Sequence, residues 1–520
     1  MDGFTSAAVL VNYIDAQRQG EWHDFKGEIT PIFHKTKMHG LGDEDVMTRL
    51  FSEISADLLI IPDASGSQDQ YDALTDHMDI IVLDHHDTAE RGDNANVIVV
   101  NNQHSADYTN KNFSGVGIVW QFCRVLDNEM ETNLANRWLD LVALGNAADV
   151  MDLRSAETRF IVGEGLKEDT LQSYFMQYCK FTMHNMQGKD YNYHTVGFYI
   201  APLFNSVCRI GDMVTKEFMF NALLDSKARL KVPDGTKNHT GEVDLVQEAL
   251  RLMTNTKSRQ DRRKNKLVEL IDNVIQEENL LEHKVLILAF DDFEEEWRQM
   301  SGLVANVIAD LYQRPCIITF RTGKGTYVGS LRTGGTNPAY TNFKDQCAAS
   351  GCCSFVAGHQ DAAGIGLKGG MIQDMIDYFD EKYADVDSAI YYDVDFIISA
   401  NDPSLPDLIA ELAPKKNAWG KGLEEPKIAV KDVKIGPGTL SLFGKQQTTL
   451  CIKNEYIKFL NFKSGKTEFD SLCPPQDPGI TTYYDATILG VDPEMNVFRD
   501  TVTPQLKIED YEVHGVTYDF

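Results

Sequence analysis

The chain has little of what marks a disulfide-bonded, zinc-thiolate or membrane protein. Its nine cysteines are irregularly spaced and form no CxxC pair. That excludes a zinc ribbon and a disulfide framework, and it fits reduced thiols in a cytosolic protein. Cys347, Cys352 and Cys353 cluster, a grouping expected from packing. Apolar runs such as Val285–Phe290 fall far short of the ~20 residues a spanning helix needs. No charged-then-apolar leader opens the chain, so the expected location is the cytoplasm. There is no HExxH zinc motif and no serine or cysteine in a recognisable nucleophile context. Ser464-Gly465-Lys466-Thr467 ends like a Walker A loop, but Leu460 stands where the first glycine is required, which excludes ATP binding there. Repeats and low-complexity tracts are absent from the sequence.

Positive charge is scarce as well. The chain has 49 Lys and Arg against 78 Asp and Glu, a net charge of −29, which repels a polyanion at long range. A bound metal or a local basic strip can still reverse the field at a site. One such strip holds Lys257, Arg259, Arg262, Arg263, Lys264 and Lys266, opposed only by Asp261. Leu245, Leu252, Leu267, Leu270, Ile271 and Val274 flank it at helical spacing, which predicts one long helix. A solvated helix face and a phosphate-contacting face are equally consistent with the strip.

The 520 residues, 43% hydrophobic and 24% charged, form a globular chain of about three domains. Helical spacing at Thr5–Ala16, Asp45–Ala56, Gly117–Leu126 and Leu134–Leu144 alternates with apolar runs at Leu58–Ile61, Ile80–Leu83 and Val97–Val100. That alternation predicts a doubly wound α/β domain around a parallel sheet, residues 1–242. A helical connector (243–283) leads to a smaller α/β unit (284–402) with strands at Val285–Phe290 and Cys316–Phe320. The last part (403–520) reads as a small all-β, OB-like module with strands at Ile428–Ile435, Thr439–Phe443, Thr448–Ile452 and Tyr456–Phe462.

In such sheets, ligands bind beyond the carboxyl ends of the strands. Here Leu58–Ile61 runs through Pro62 into Asp63, and Ile80–Leu83 runs into Asp84-His85-His86. Leu134–Leu144 ends at Gly145-Asn146-Ala147-Ala148-Asp149, and Asp2-Gly3 precedes the first helix. Carboxylates with imidazole and no thiolate suit a hard or borderline divalent ion such as Mn²⁺ or Mg²⁺. A single aspartate after a strand is usually a helix cap. Four acids at element ends with a DHH triplet point to a metal centre.

In order, Asp2-Gly3 with Thr5-Ser6-Ala7, Asp63, Asp84-His85-His86 and Asp149 resemble the four motifs of the DHH phosphoesterase superfamily. Further segments are similar to RecJ-like single-strand exonucleases: Ser114-Gly115-Val116-Gly117, Pro202 with Asn205 and Arg209, Ser330 with Arg332, Gly358–Gly364 around His359, and Trp419–Pro426. The resemblance spans about residues 1–460. It implies an associated second domain of the DHHA1 type and a metal-dependent exonuclease acting on single-stranded nucleic acid, DNA rather than RNA, 5′ to 3′, in recombination, repair or replication. Single-strand-binding or replication proteins are the partners it implies, and no membrane. It further implies two ions, one held by Asp2, a bridging Asp63, His85 and Asp149. Asp84 would orient His85, and His86 would face the scissile phosphate. Asn205, Arg209, Ser330, Arg332 and His359 would contact substrate, and Trp419, Tyr456 and Phe459 of the β module would stack on bases.

Leu203 and Cys208 depart from the family's arginine and glycine, and Met1 falls inside the first motif, whose leading aspartate and strand are absent from this sequence. The second metal site then keeps only Asp63, and an upstream start of the native product is expected. Two other classes stay open. A small-substrate phosphoesterase acting on oligoribonucleotides or cyclic dinucleotides is disfavoured by the β module. A non-catalytic replication scaffold of the same superfamily is disfavoured by the intact DHH and Asp149.

Overall fold

A computed structural model describes residues 1–35, 40–87, 94–237, 240–323, 325–334, 337–387, 389–444, 447–462, 465–499 and 501–520; Ser464 of the Walker-like stretch lies outside them. All structural statements below concern these residues.

The first unit is built on a short parallel sheet, β1 (Leu58–Pro62), β2 (Asp79–Asp84) and β3 (Val97–Asn101), in that spatial order. Their aliphatic and β-branched composition matches strands buried between helices. Helix α1 (Asp2–Arg18) packs on α4 (Gly115–Met130) and α5 (Leu139–Ala148) through Ala8, Val9 and Tyr13, while α2 (Glu44–Ser52) and α3 (Gln68–Leu74) cover the sheet's other core around Val46, Leu50 and Leu74. The parallel register points Asp63, Asp84 and Asn101 to one end of the sheet. The far edge of β1 has no strand partner, and an apolar cavity of about 650 Å³ lies beside it, lined by Met1, Phe4, Phe33, Leu59 and Phe220.

Residues 156–221 are largely helical, a stretch the sequence left without elements. A small hairpin of β4 (Lys231–Pro233) and β5 (Glu242–Asp244) leads into the helix Leu245–Glu277. At ~1.5 Å per residue this helix is about 50 Å long. Val246, Ala249 and Met253 at its start enter the first core, and Leu267, Ile271 and Ile275 enter the next. It thus ties two cores together as a single rod. On its basic strip, Lys257 pairs with Asp261 at 2.5 Å, and Arg259 donates to the Ile210 carbonyl at 3.0 Å.

The second sheet contains β6 (Leu286–Phe290), β7 (Cys316–Arg321), β8 (Tyr327–Arg332), β9 (Cys353–His359) and β10 (Ala362–Leu367), in the order β6-β7-β8-β10-β9. Only β6 and β7 run parallel. The third comprises β11 (Phe396–Ser399), β12 (Ile428–Ile435), β13 (Leu440–Phe443), β14 (Thr449–Lys453), β15 (Lys458–Asn461), β16 (Thr481–Phe498) and β17 (Thr501–Asp519). Two features differ from the sequence reading. Phe396–Ser399, read as part of the second unit, pairs in parallel with β12 and so belongs to this sheet. The long hairpin β16–β17 was not anticipated, because its charged and polar residues mask a strand whose faces are largely exposed. Phe459, expected to stack on bases, is fully buried in the core of this module, where its hydrophobic area outweighs any gain at the surface. Trp419 and Tyr456 pack partly buried against the same core. No helix is long and apolar enough to cross a membrane.

Candidate metal centre and adjoining cleft

Each carboxylate at the sheet's carboxyl end is placed by backbone chemistry. Asp2 is buried, and its carboxylate accepts N–H bonds from Gly115 at 2.6 Å and Val116 at 3.1 Å. The carboxylate therefore sits on the N-terminus of α4, where unpaired N–H groups and the helix dipole favour an anion. Asp63 follows β1 in the left-handed region, φ 57°, with its N–H bonded to the Leu83 carbonyl at 2.8 Å. Aspartate tolerates that conformation better than most residues. Asp149 caps α5, and Val150 next to it has φ 59°, an uncommon conformation for a β-branched residue that turns the chain sharply away. Gly145 is needed behind the site: a Cβ there would stand 2.8 Å from Asp2 Oδ1 and 2.6 Å from Thr5 Oγ1.

These groups converge on one imidazole. His85 Nε2 lies 3.2 Å from Asp63 Oδ1, 3.4 Å from Asp149 Oδ2 and 3.9 Å from Asp2 Oδ2. Asp2, His85 and Asp149 form one set of donors close enough to share an ion, and Asp63, His85 and His86 form another. Asp63 Oδ1 and His85 Nε2 are buried with no hydrogen bond of normal geometry, a costly state for polar atoms. Burial, then the neighbouring Asp2 charge, pushes the Asp63 carboxyl far above its usual range. Asp149 is raised for the same two reasons. Burial opposes charge on His85, yet the close Asp63 carboxylate and then the Asp2 and Asp149 charges hold its pKa well above the ordinary value. Crowded anions around orphaned donor atoms fit a divalent cation bound by oxygen and nitrogen.

Asp84 differs from the role expected for it. Its fully buried carboxylate bonds Nδ1 of His86 at 2.7 Å, not the ring of His85. Burial disfavours the Asp84 charge, but the His86 bond outweighs it and its pKa falls; the same bond raises His86 against its own partial burial. The result is an oriented, half-exposed imidazole beside the metal-ligand set, with rings of His85 and His86 4.4 Å apart. Sequence reading missed the residues that hold this triplet's backbone. Asn101 Nδ2 donates to the His86 carbonyl at 3.0 Å, and Gln103 Nε2 to the His85 carbonyl at 3.1 Å. The only signal was a run of carboxamides, Asn101-Asn102-Gln103, directly after a strand.

Arg209, near the end of the helix Ala201–Ile210, and Arg332, at the end of β8, come from different units and lie within electrostatic range of each other. Burial, then the Arg209 cation, disfavours charge on Arg332, whose guanidinium packs where a Cβ on Gly302 would lie 2.6 Å away. Ser330 joins Ser301 at 2.9 Å beside it. Among the described residues neither arginine is ion-paired, and Arg332 Nη1 donates to the Leu331 carbonyl at 2.6 Å. Asn205 contributes its carbonyl to Arg209 at 3.4 Å. His359 stands exposed at the end of β9, bonded in register to Ala362. The C-terminal module also reaches the site: the Leu153 N–H bonds the Lys421 carbonyl at 2.8 Å, and Gly422, φ 78°, leaves no room for a side chain against Asp152.

Residues 1–146 match the model of the DHH family, N-terminal domain. The chain is 31% identical over 520 residues to a Bacillus subtilis strain 168 protein with the provisional name SPbeta prophage-derived single-strand DNA-specific exonuclease YorK, covering 99% of this chain and 86% of that one. Single-stranded-DNA-specific exonuclease RecJ of the same bacterium is 23% identical over 84% of this chain, which spans about half (51%) of that protein. Among solved structures, RecJ of Thermus thermophilus in complex with Mn²⁺ superposes with a TM-score of 0.67 at 18% identity, over 98% of this chain and 67% of that one. With the motif order, the converging ligand set and these likenesses in agreement, the chain belongs to the DHH superfamily, in its RecJ-like branch of single-strand exonucleases.

Proposed function

We propose that this chain removes nucleotides from the 5′ end of single-stranded DNA by phosphodiester hydrolysis, using a divalent ion such as Mn²⁺ or Mg²⁺, in recombination, repair or replication. The convergence of Asp2, Asp63, Asp149 and the unsatisfied His85 Nε2 carries this reading. These four residues would hold the ion, which supplies positive charge against the phosphodiester and makes an attacking water more acidic. His86, oriented by Asp84, donates toward charge developing on the phosphate oxygens. Arg209 and Arg332, with Ser330 beside them, hold a terminal phosphate; His359 contacts the strand from the same unit. Two overlapping donor groups share His85, one with Asp2 and Asp149 and one with Asp63 and His86. The relatives' names and the third, OB-like module support a polymeric single strand over a dinucleotide substrate.

The test is hydrolysis of a 5′-phosphorylated single strand, its duplex and a dinucleotide, in Mn²⁺ and in chelator, by the wild type and His85→Ala. Expected are metal-dependent loss of the single strand from its 5′ end and a fall of at least ~100-fold in the variant. Near-normal activity of His85→Ala would refute the ligand assignment. Equal rates on strand and dinucleotide would favour the small-substrate alternative.

A further inference from the structure

Between the catalytic unit and the C-terminal module lies an aromatic pair that the metal centre does not use. The helical stretch from Tyr193 to Ile210 is interrupted by a π-helical turn, Val196–Ile200, a rare element that recurs at functional sites. Phe198 on this turn stacks on His194 of the turn before it, 4.3 Å between centroids and 29° between planes. Phe198 is nevertheless 66% exposed. Gly197 between them is exposed too, and a Cβ there would meet nothing within 4 Å. The helix thus presents bare backbone flanked by two rings. A phenylalanine held this far out of the core forgoes the hydrophobic gain of burial, in a position where a flat apolar partner could recover it.

The charges and the location agree. Lys189, Lys416 and Lys507 lie within electrostatic range of His194, together with Asp492. Lys416 and Lys507 both pair with Asp492, and Glu425 lies near Asp492 and Lys416. Lys189 binds the Tyr199 hydroxyl and sits over its ring. Three lysines against two acids leave a local positive excess in a chain of net charge −29. Tyr193, the neighbour of His194, packs on Gly420 of the module's turn and bonds the Met151 carbonyl at 3.4 Å, two residues from Asp149. The platform therefore stands beside the segment that carries a proposed metal ligand.

On the nuclease reading above, we propose that His194, Gly197 and Phe198 form a stacking platform for a base of the single-stranded DNA downstream of the scissile bond, with Lys189, Lys416 and Lys507 attracting its backbone. Bases stack on aromatic rings without regard to sequence, and basic neighbours supply affinity. The experiment compares wild type with Phe198→Ala on a 20-nucleotide oligo(dT) and on a thymidine dinucleotide in Mn²⁺, with thermal melts as a folding control. The fluorescence of Phe198→Trp is followed as oligo(dT) is added in chelator. Expected are an increase of roughly tenfold in KM for the 20-mer with kcat little changed, no change on the dinucleotide, and quenching of the introduced tryptophan. If wild type degrades the 20-mer while Phe198→Ala matches it on both substrates, the platform is wrong and the nuclease reading stands. Equal losses on both substrates, or no quenching, would also overturn it. If wild type hydrolyses neither substrate, the nuclease reading fails first.

Discussion

Gly115 faces Asp63 so closely that a Cβ on residue 115 would stand 2.5 Å from the Asp63 Cβ and 2.6 Å from its Oδ1. The same residue's N–H bonds Asp2. One glycine at the start of α4 thus makes room for one proposed ligand and anchors another. Because Asp63 is fixed by its left-handed backbone and its bond to Leu83, it cannot move aside cheaply.

Gly115→Ala is therefore expected to displace Asp63, weaken Mn²⁺ binding at least tenfold and lower stability by about 1–3 kcal/mol, as overpacking does elsewhere. Isothermal titration with Mn²⁺ and thermal melts in chelator check this. Unchanged metal affinity would mean that the Asp63 loop yields and that Asp63 does not need its present position.

The Asp84–His86 pair separates binding from turnover. Asp84→Asn keeps the shape but removes the charge that orients His86 and raises its pKa. Turnover of single strands is expected to fall ~10- to 100-fold, with Mn²⁺ affinity nearly unchanged, since Asp84 does not touch the His85 ring. A proportional loss of metal binding would instead place Asp84 behind His85.

Away from the site, Asp127 is expected to contribute to acid stability. Burial disfavours its charge, but bonds from Thr132 at 2.6 Å, the Ala135 N–H at 2.8 Å and Tyr13 at 3.1 Å outweigh this and lower its pKa. A depressed carboxylate stabilises the fold above its unfolded pKa, and that contribution is lost as pH falls through the folded one. Asp127→Asn should cost about 1–3 kcal/mol at pH 7. The gap between the two proteins' melting temperatures should close as pH drops below the ordinary aspartate value of 3.8. A gap that stays constant down to acid pH would show that shape, not charge, matters at this position.

The chain itself determines much of this molecule. Runs such as Leu58–Pro62 and Asp79–Asp84 are apolar and β-branched enough to form parallel strands, so the acids at or just after their ends cluster at one sheet end. The order of Asp2, Asp63, Asp84-His85-His86 and Asp149 is equally local, and it is what makes the family legible. Other features depend on contacts between residues far apart in sequence. Whether Asp84 pairs with His85 or His86 is decided by how the strand end turns and by the hold of Asn101 and Gln103 on both carbonyls. Phe459 and Phe198 are the same residue type in comparably mixed sequence. One is sealed in a β core and the other stands 66% exposed at a junction, because burial is set by which element packs over a side chain. Arg209 and Arg332 come within electrostatic range of each other although 123 positions apart, as the helix Leu245–Glu277 is rooted in two cores at once.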